Sequence, residues 1–437
     1  MSNTKQSIAS RMDQAFSGSS TNATTKLQKN KAYNQFTGLI LHSFAKHSEG
    51  KKLTTFEEKL VNCFLESDFS DQDLASISKS YREASTTMRS SILPGKFAQL
   101  TTDNDYTFED LRKDLPLVGK EAIENSQNLG LINTDRVFIT KEIIAKAKEH
   151  LKTTKDVNAA TLEKELDALL PKKQSPKYTK ASAELGWSAQ VAGRANNFSE
   201  VKSTNSGTWD FWAVEMECID DTGESTRDEP FFGFACTDGT TATKWRSNVF
   251  GAISPGDVEP FSKNTLYRNV VQGGMSITID SWEQDAGDQY DRENQILDKI
   301  IEILLDQLTI DSWGDMVQTI IEEITGVGVP PVWYAVFLVC ALAIKNFLTN
   351  NDDFGGTHKI MIPGNELDRL RKVITVANSN AEDTVTKLCE LNPGVPPLLV
   401  ALLYAVGAYK TAYFYPEMDY TDGHDGHWKL TLRGHPV

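Results

Sequence analysis

The spacing of apolar residues changes once along this 437-residue chain, and that change limits the folds open to it. Before about residue 170, apolar side chains such as Phe56, Leu60 and Phe64 recur at the spacing of one helix face. Later, in 209–219 and 275–282, apolar and polar residues alternate as in strands with one buried face. The sequence therefore predicts an α+β protein, with an N-terminal all-α domain followed by an antiparallel β-sandwich.

Helix start signals and breaks in the pattern predict the domain limits. Thr54 followed by Glu57 has the spacing of a capping box, and the segment 130–140 could hold one short strand. Residues 1–30 are rich in Ser, Thr, Asn and Lys without apolar periodicity, which is typical of a flexible tail. We therefore predict a tail over 1–30, a helical domain over 31–170, a linker over 171–182 and the sandwich over 183–437.

Two helical segments interrupt the predicted strands, at about 290–349 and 365–415. The tetrapeptide Gly-Val-Pro-Pro occurs at 328–331 and again at 394–397, and each copy begins an apolar run that ends at a Lys. A membrane-spanning helix needs about 20 apolar residues, and both runs are shorter. We interpret them as two copies of one apolar helix. Two alternatives follow: helices packed on the core of the sandwich, or helices that insert into a membrane.

Charge is distributed unevenly between the two halves. Residues 1–180 contain 27 Lys and Arg against 23 Asp and Glu, whereas residues 181–437 contain 18 against 37. The C-terminal half would repel the phosphates of nucleic acid and attract cations. We therefore expect no nucleic-acid partner.

Three acidic segments next to predicted strands form the candidate site. Ca²⁺ takes six to eight oxygen ligands, at about 2.3–2.6 Å, in irregular geometry, so carboxylates from several loops suit it. The alternative is that these residues lie in solvated turns, where Asp is common. The predicted calcium ligands are Asp220, Asp221, Glu224, Asp228, Glu283, Asp285, Asp288, Asp352 and Asp353.

These motifs resemble those of C2 domains, the calcium- and lipid-binding β-sandwiches. The likeness rests on Trp282-Glu283-Gln284-Asp285 after one strand and Asp352-Asp353-Phe354-Gly355 before the next, with a long helical insertion between them. It implies a C2-like sandwich with Ca²⁺ bound at the loops. A C2-like group of bacterial proteins has a similar pattern, although Gly223 and Phe231 depart from it. The residues of this sequence that match that pattern are Cys218, Thr222, Glu224, Asp228 and Pro230.

Other metal and catalytic patterns are weak. His424, His427 and Asp425 could hold zinc, but a Gly-Asp turn before a strand has the same composition. Asp419 and Asp422 could instead add to the calcium ligands. The five cysteines form no CxxC pair, and the common nucleophile, phosphate-loop and zinc-protease motifs are absent from the sequence. We therefore predict no enzymatic activity, with a hydrolase of dispersed catalytic residues as an alternative.

The resulting hypothesis is a calcium-dependent membrane-binding protein, specifically a pore-forming or insecticidal bacterial toxin with membrane lipid as its partner. The helical domain would regulate, target or oligomerise it, with a homo-oligomer as one outcome. The first residues contain no apolar signal-peptide region, so we expect synthesis in the cytoplasm and release by lysis or a non-Sec route. The main alternative is a soluble interaction or scaffold protein with structural calcium and buried helices.

Overall fold

The computed structural model describes much of both halves of the chain. It leaves outside the described residues most of the first inserted helical segment and large parts of the acidic segments. The described residues are 3–17, 27–28, 31–111, 113–114, 127–154, 159–170, 175–194, 205–220, 229–238, 241–251, 253–262, 264–272, 274–283, 299, 354–379, 381–421 and 425–437.

Helices dominate the first part of the chain. Thr54 caps helix α3, because its hydroxyl accepts from the Glu57 N–H while the Glu57 carboxylate accepts from the Thr54 N–H, as the capping box predicts. A short 3-10 helix (Lys31–Asn34) precedes α2. The helices here are α1 (Asn3–Phe16), α2 (Gln35–Ser48), α3 (Thr55–Leu65), α4 (Asp71–Glu83), α5 (Thr86–Ile92) and α6 (Gly95–Gln99).

Helix α1 lies within the segment predicted to be a flexible tail, so that prediction is wrong for residues 3–16. Ile8, Met12 and Phe16 are spaced by four residues, which places them on one helix face, and all three are buried. The Phe16 ring meets Tyr81 of α4 edge-on, with centroids 6.1 Å apart. The polar composition concealed a narrow apolar stripe that is sufficient to dock the helix.

Three more helices and one strand follow: α7 (Lys141–Thr154), α8 (Ala159–Leu169), α9 (Pro176–Leu185) and β1 (Leu129–Asn133). Helix α9 starts within the segment 171–182, where the sequence suggests a linker. Ser175 caps α9 by accepting from the Tyr178 N–H, and Pro176 occupies the first turn, where its missing N–H costs nothing.

Twelve described strands form two six-stranded sheets. The first sheet has the order β1-β2-β9-β8-β4-β5, and the second contains β3, β6, β7, β10, β11 and β12. Beyond β1 the strands are β2 (Trp187–Gly193), β3 (Asn205–Asp220), β4 (Pro230–Thr237), β5 (Ala242–Arg246), β6 (Val258–Pro260), β7 (Thr265–Gln272), β8 (Gly274–Glu283), β9 (Phe354–Pro363), β10 (Ala412–Phe414), β11 (Glu417–Thr421) and β12 (Asp425–Pro436).

The first sheet is mixed, whereas the sequence predicts an antiparallel one. Strand β2 pairs in parallel with β1 on one side and with β9 on the other, and the remaining pairs of this sheet are antiparallel. Almost every residue of β2 is buried, as expected for a strand covered on both faces. Apolar periodicity shows which face of a strand is buried but carries no information about its direction.

The predicted α+β class is confirmed, with helices followed by sheets along the chain. Inner-face residues of both sheets, such as Phe211, Phe232 and Ile277, belong to one buried apolar cluster. Trp187 and Ala189 of β2 and Met361 of β9 instead join the cluster formed by the N-terminal helices. The first sheet is therefore covered by the sandwich core on one face and contacted by the helical layer on the other.

The second predicted helical insertion, between β9 and β10, contains α10 (Gly364–Ser379), α11 (Thr384–Leu391) and α12 (Pro397–Ala405). Helix α12 begins at Pro397, the last residue of the second Gly-Val-Pro-Pro copy, and is nine residues long. Its Leu399 and Leu403 lie in the sandwich core, whereas Leu398 is 56% exposed. Within the described ranges, no helix combines the length and apolarity needed to cross a membrane. The first apolar run, 332–344, lies outside the described residues.

Candidate cation-binding end of the sandwich

The predicted calcium ligands fall mostly outside the part of the chain that the structure describes. Asp220 is the last residue of β3, and its side chain is exposed. Glu283 is the last residue of β8, where only the backbone is described. The seven others lie outside the described residues: Asp221, Glu224, Asp228, Asp285, Asp288, Asp352 and Asp353.

Strand register brings the bases of the acidic segments to one end of the first sheet. Pro230, the first residue of β4, pairs with Glu283, and Trp282 pairs with Phe354, the first residue of β9. Neighbouring strands lie about 4.8 Å apart. The chain therefore leaves the segment 221–228, and both enters and leaves the segment 284–353, through three adjacent strand ends.

The segment that links β5 of the first sheet to β6 of the second ties the end of β3 to the same place. The Pro230 carbonyl accepts from the Phe250 N–H at 2.9 Å, and the Asp257 carbonyl accepts from the Cys218 N–H at 2.9 Å. Between them, the Ser254 N–H donates to the Asp257 carboxylate at 2.9 Å. Gly256 in this turn has a φ of 93°, which favours glycine. The segment 250–257 therefore connects the start of β4 with the end of β3.

The hairpin of β11 and β12 adds a fourth acidic segment to this end. Asp419 of β11 pairs with His427 of β12, and His427 pairs with Asp220. His427 is half-buried. The sequence suggests Asp419 as an extra ligand. It does not show that Asp419 and Asp220 lie on the two strands that flank β12 at His427.

Charge at this end is largely uncompensated in the sequence, because the acidic segments contain few basic residues. Arg246 of β5 lies over the Phe231 ring, 4.3 Å from its centroid, near the start of β4. Among the described side chains, no group of three His, Cys, Asp or Glu is arranged to hold a metal ion. The strand ends set where the segments begin, and the positions of their carboxylates remain a prediction.

A buried polar network at the opposite end of β9 was not predicted. Arg369 of α10 donates to Glu366 at 3.0 Å, to the Thr134 hydroxyl at 2.6 Å and to the Leu391 carbonyl at 2.9 Å. Asp135 lies 3.1 Å from the same guanidinium. The network holds the end of β1 against the helical insertion, and the sequence gives no local pattern for it.

Asp135 is poorly compensated within this network. Burial raises the pKa of its carboxyl, and the charges of Arg369 and Arg194 and the Gly394 backbone N–H offset this only in part. Its Oδ1 atom is buried and makes no hydrogen bond of acceptable geometry. The Asp135 carboxylate nevertheless lies against Gly394, since a Cβ on that glycine would clash with Oδ2.

A second buried network lies in the helical layer. Lys46 of α2 donates to Glu57 at 2.8 Å and to Asp105 at 2.7 Å. Burial alone raises the pKa of Glu57, but hydrogen bonds from His42, Lys46 and Thr54, with the Lys46 charge, lower it to about 2. The Thr54 and Glu57 pattern was visible in the sequence as a helix cap, whereas its role in this network was not.

One buried serine and histidine pair bears on the hydrolase alternative. The Ser188 hydroxyl lies 2.7 Å from His358 Nδ1, and His358 Nε2 lies 3.0 Å from the Gln190 side-chain oxygen. Burial lowers the pKa of His358 to about 3, so the ring is neutral. Ser188 and His358 are both buried within the first sheet, where their hydrogen bond satisfies two polar side chains inside the core.

No protein-family model matches this chain, and no curated protein matches it. A solved structure described as "CC2D1B coordinates ESRCT-III activity during the mitotic reformation of the nuclear envelope" is similar at 9% sequence identity. The match covers 76% of this chain and 91% of that chain, with a TM-score of 0.21. A likeness at that TM-score supports no argument about this protein.

Proposed function

We propose that this protein binds anionic membrane surfaces in a calcium-dependent manner through the acidic end of its sandwich. The observation that supports this most is the register of β4, β8 and β9, in which Pro230 pairs with Glu283 and Trp282 with Phe354. Three acidic segments that are far apart in sequence therefore start or finish at one sheet end. The C2-like character of the sandwich is part of the proposal and rests on the sequence motifs.

Calcium supplies the chemical link between the two negative surfaces. Clustered carboxylates repel one another unless a cation lies between them, and Ca²⁺ accepts oxygen ligands in irregular number and geometry. A bound Ca²⁺ with open coordination positions can also take phosphate oxygens from lipid head groups. The acidic end would then change from repelling an anionic bilayer to binding it.

Pore formation, the more specific toxin hypothesis, depends on the apolar run 332–344 and stays a prediction. Helix α12 lies far from the acidic end along the strands, because β10, which follows it, pairs with the last residues of β12. Its inner face, including Leu399 and Leu403, is packed in the core. Insertion of this copy into a membrane would require that core packing to open.

The packing of α12 favours a second candidate, a soluble scaffold protein with structural calcium. In that case the apolar helices act only as core elements, and Ca²⁺ stabilises the acidic loops without a lipid partner. The two candidates make the same prediction for calcium binding and opposite predictions for vesicle binding.

The test uses the full-length protein with vesicles of phosphatidylcholine alone or mixed with phosphatidylserine, in calcium or in chelator. We expect calcium to raise the melting temperature, since a ligand of the native state stabilises it, and to drive co-sedimentation with the anionic vesicles. The triple variant Asp228→Asn, Asp285→Asn, Asp353→Asn should lose both effects.

The matched control is Glu163→Gln, Glu165→Gln, Glu382→Gln, which removes three carboxylates that lie away from the acidic end. It should behave like the wild type. A calcium shift in melting without vesicle binding would favour the scaffold candidate. Identical melting of the wild-type protein in calcium and in chelator would refute calcium binding altogether.

A further inference from the structure

Three neighbouring strands of the first sheet run in the same direction and end at one buried polar network. Strand β2 is parallel to both β1 and β9, so the carboxyl ends of these strands lie at one edge of the sheet. Asp135 follows β1, Arg194 follows β2, and Glu366 follows β9. In open sheets of parallel strands, ligands bind just outside the carboxyl ends. The network therefore lies where such a sheet commonly holds a ligand.

Three buried polar atoms in this region make no hydrogen bond within the described part of the chain. They are Oδ1 of Asp135, Nε of Arg194 and the hydroxyl of Tyr409, and we call these three residues the Asp135 cluster. Arg194 Nε lies 3.9 Å from Glu366 Oε1, and Asp135 Oδ1 lies 3.1 Å from Arg369 Nη1 without hydrogen-bond geometry. Buried polar groups without partners are rare and costly unless a bound molecule satisfies them.

Tyr409 adds a strained backbone to the cluster. Its side chain is fully buried, and its ring packs against Phe138 with centroids 5.4 Å apart. Its φ of 67° lies in the left-handed region, which is unfavourable for a bulky residue. Burial raises the pKa of its hydroxyl, and the neighbouring Cys389 and Asp135 add to this effect. Backbone strain of this kind is concentrated at active sites and ligand contacts.

The cluster offers unused donors and an unused acceptor together. Arg194 Nε–H and Tyr409 O–H are donors, whereas Asp135 Oδ1 is an acceptor. The formal charges of Arg194 and Arg369 balance those of Asp135 and Glu366, so the site favours neither a simple anion nor a simple cation. A molecule that carries both charges can satisfy both kinds of atom. The Arg194 side chain is 31% exposed, so such a molecule can reach the cluster from solvent.

We propose that the Asp135 cluster binds a small zwitterion of the α-amino acid class. The carboxylate of the ligand accepts from Arg194 and Tyr409, and its ammonium group donates to Asp135 Oδ1. Hydrogen bonds between such charged groups are shorter and stronger than neutral ones. One ligand therefore satisfies all three atoms. The site is separate from the proposed calcium site, because it lies at the opposite end of β9.

The experiment is isothermal titration calorimetry of the full-length protein in chelator, with each common α-amino acid in turn. We expect at least one of them to bind saturably at one equivalent. Asp135→Asn and Tyr409→Phe should each weaken that binding at least about 10-fold, since each removes a hydrogen bond to a charged group. The N,N,N-trimethyl form of the same amino acid keeps both charges but has no N–H to donate. It should also bind at least about 10-fold more weakly.

Asp383→Asn and Tyr413→Phe make the same substitutions at an exposed and a half-buried position outside the cluster, and they should keep the wild-type affinity. Tyr409→Phe removes only a hydroxyl that makes no hydrogen bond, so it should fold even if Asp135→Asn does not. Circular dichroism verifies the fold of each variant. Failure of every amino acid to bind the wild type would overturn the proposal. Wild-type affinity in the folded Tyr409→Phe variant, or for the trimethyl ligand, would overturn it too.

Discussion

One buried ion network lies in the helical layer and another beside the sandwich. Each contains a buried carboxyl, and the pKa values of the two carboxyls shift in opposite directions. In the helical layer, Glu57 is buried yet its pKa falls to about 2. Beside the sandwich, Asp135 is buried and its pKa rises. The comparison separates burial, which both carboxylates share, from the supply of hydrogen-bond donors, which they do not.

Glu57 receives more and better donors. Its two oxygens accept from the Lys46 ammonium at 2.8 Å, the Thr54 N–H at 2.7 Å and the Tyr106 N–H at 3.0 Å. Asp135 has the Gly394 N–H and an Arg369 guanidinium already engaged by Glu366. A buried charge is stabilised only where its own atoms are hydrogen-bonded. The helical-layer network therefore stabilises the ionised form of Glu57, whereas the network around Arg369 leaves the ionised form of Asp135 disfavoured.

The largest expected effect comes from breaking the helical-layer network. Glu57→Gln leaves Lys46 buried with one carboxylate partner instead of two, and we expect a loss of about 3–5 kcal/mol in the free energy of unfolding. Urea denaturation followed by circular dichroism measures it. Glu58→Gln, at the exposed neighbouring position, is the control and should change the free energy by less than about 0.5 kcal/mol. Equal losses in both variants would contradict this account.

The pH dependence of the same variant sharpens the comparison. A carboxyl with a lowered folded pKa gives stability that is present above its unfolded pKa and lost as pH falls toward the folded one. The advantage of the wild type over Glu57→Gln should therefore shrink between about pH 5 and pH 2. Urea midpoints at several pH values test this. A difference that stays constant over that range would mean that Glu57 is not ionised as described.

The Gly394 contact should show a smaller effect. In Gly394→Ala the new Cβ clashes with Oδ2 of the Asp135 carboxylate, so the Asp135 side chain must shift. We expect a loss of about 1–3 kcal/mol in unfolding free energy. Gly251→Ala is the matched control, since a Cβ there meets nothing within 4 Å. A stable Gly394→Ala protein would show that this loop is not held against Asp135.

The smallest effect is expected for Asp135→Asn. Because burial raises the pKa of Asp135, its environment disfavours the charge, and neutralising it should change the unfolding free energy by less than about 1 kcal/mol at neutral pH. As pH falls, the wild type should gain stability relative to this variant, the reverse of Glu57→Gln. Asp383→Asn, an exposed residue paired with Lys387, controls for the substitution. A loss as large as that of Glu57→Gln would remove the contrast between the networks.

Local sequence patterns anticipated much of the secondary structure. The segments 209–219, 231–237, 275–282 and 427–434, which alternate or are short and aromatic, lie within β3, β4, β8 and β12. Thr54 caps α3 as predicted, because a capping box involves residues only three apart. Such features depend on neighbouring residues and so are visible without a fold.

Features that join distant residues were not predictable. Thr134 and Glu366 are hydrogen-bonded although 232 residues separate them, and the bulge that sets Asp220 opposite His427 depends on two strands. The acidic segments were identified from composition, and the register supplies their common location. The direction of β2 could not be predicted, because apolar periodicity shows which face of a strand is buried and not which way the strand runs.

The parallel pairing of β2 with β9 has a consequence for the order of assembly during synthesis. Trp187 of β2 and Met361 of β9 both contribute to the core of the N-terminal helical layer, although the helices from α1 to α6 end at Gln99. That layer can bury its sheet-facing side only after more than three quarters of the chain has left the ribosome. Until then the helices from α1 to α6 expose apolar surface. The nascent chain is therefore most prone to aggregation or chaperone binding before β9 is synthesised.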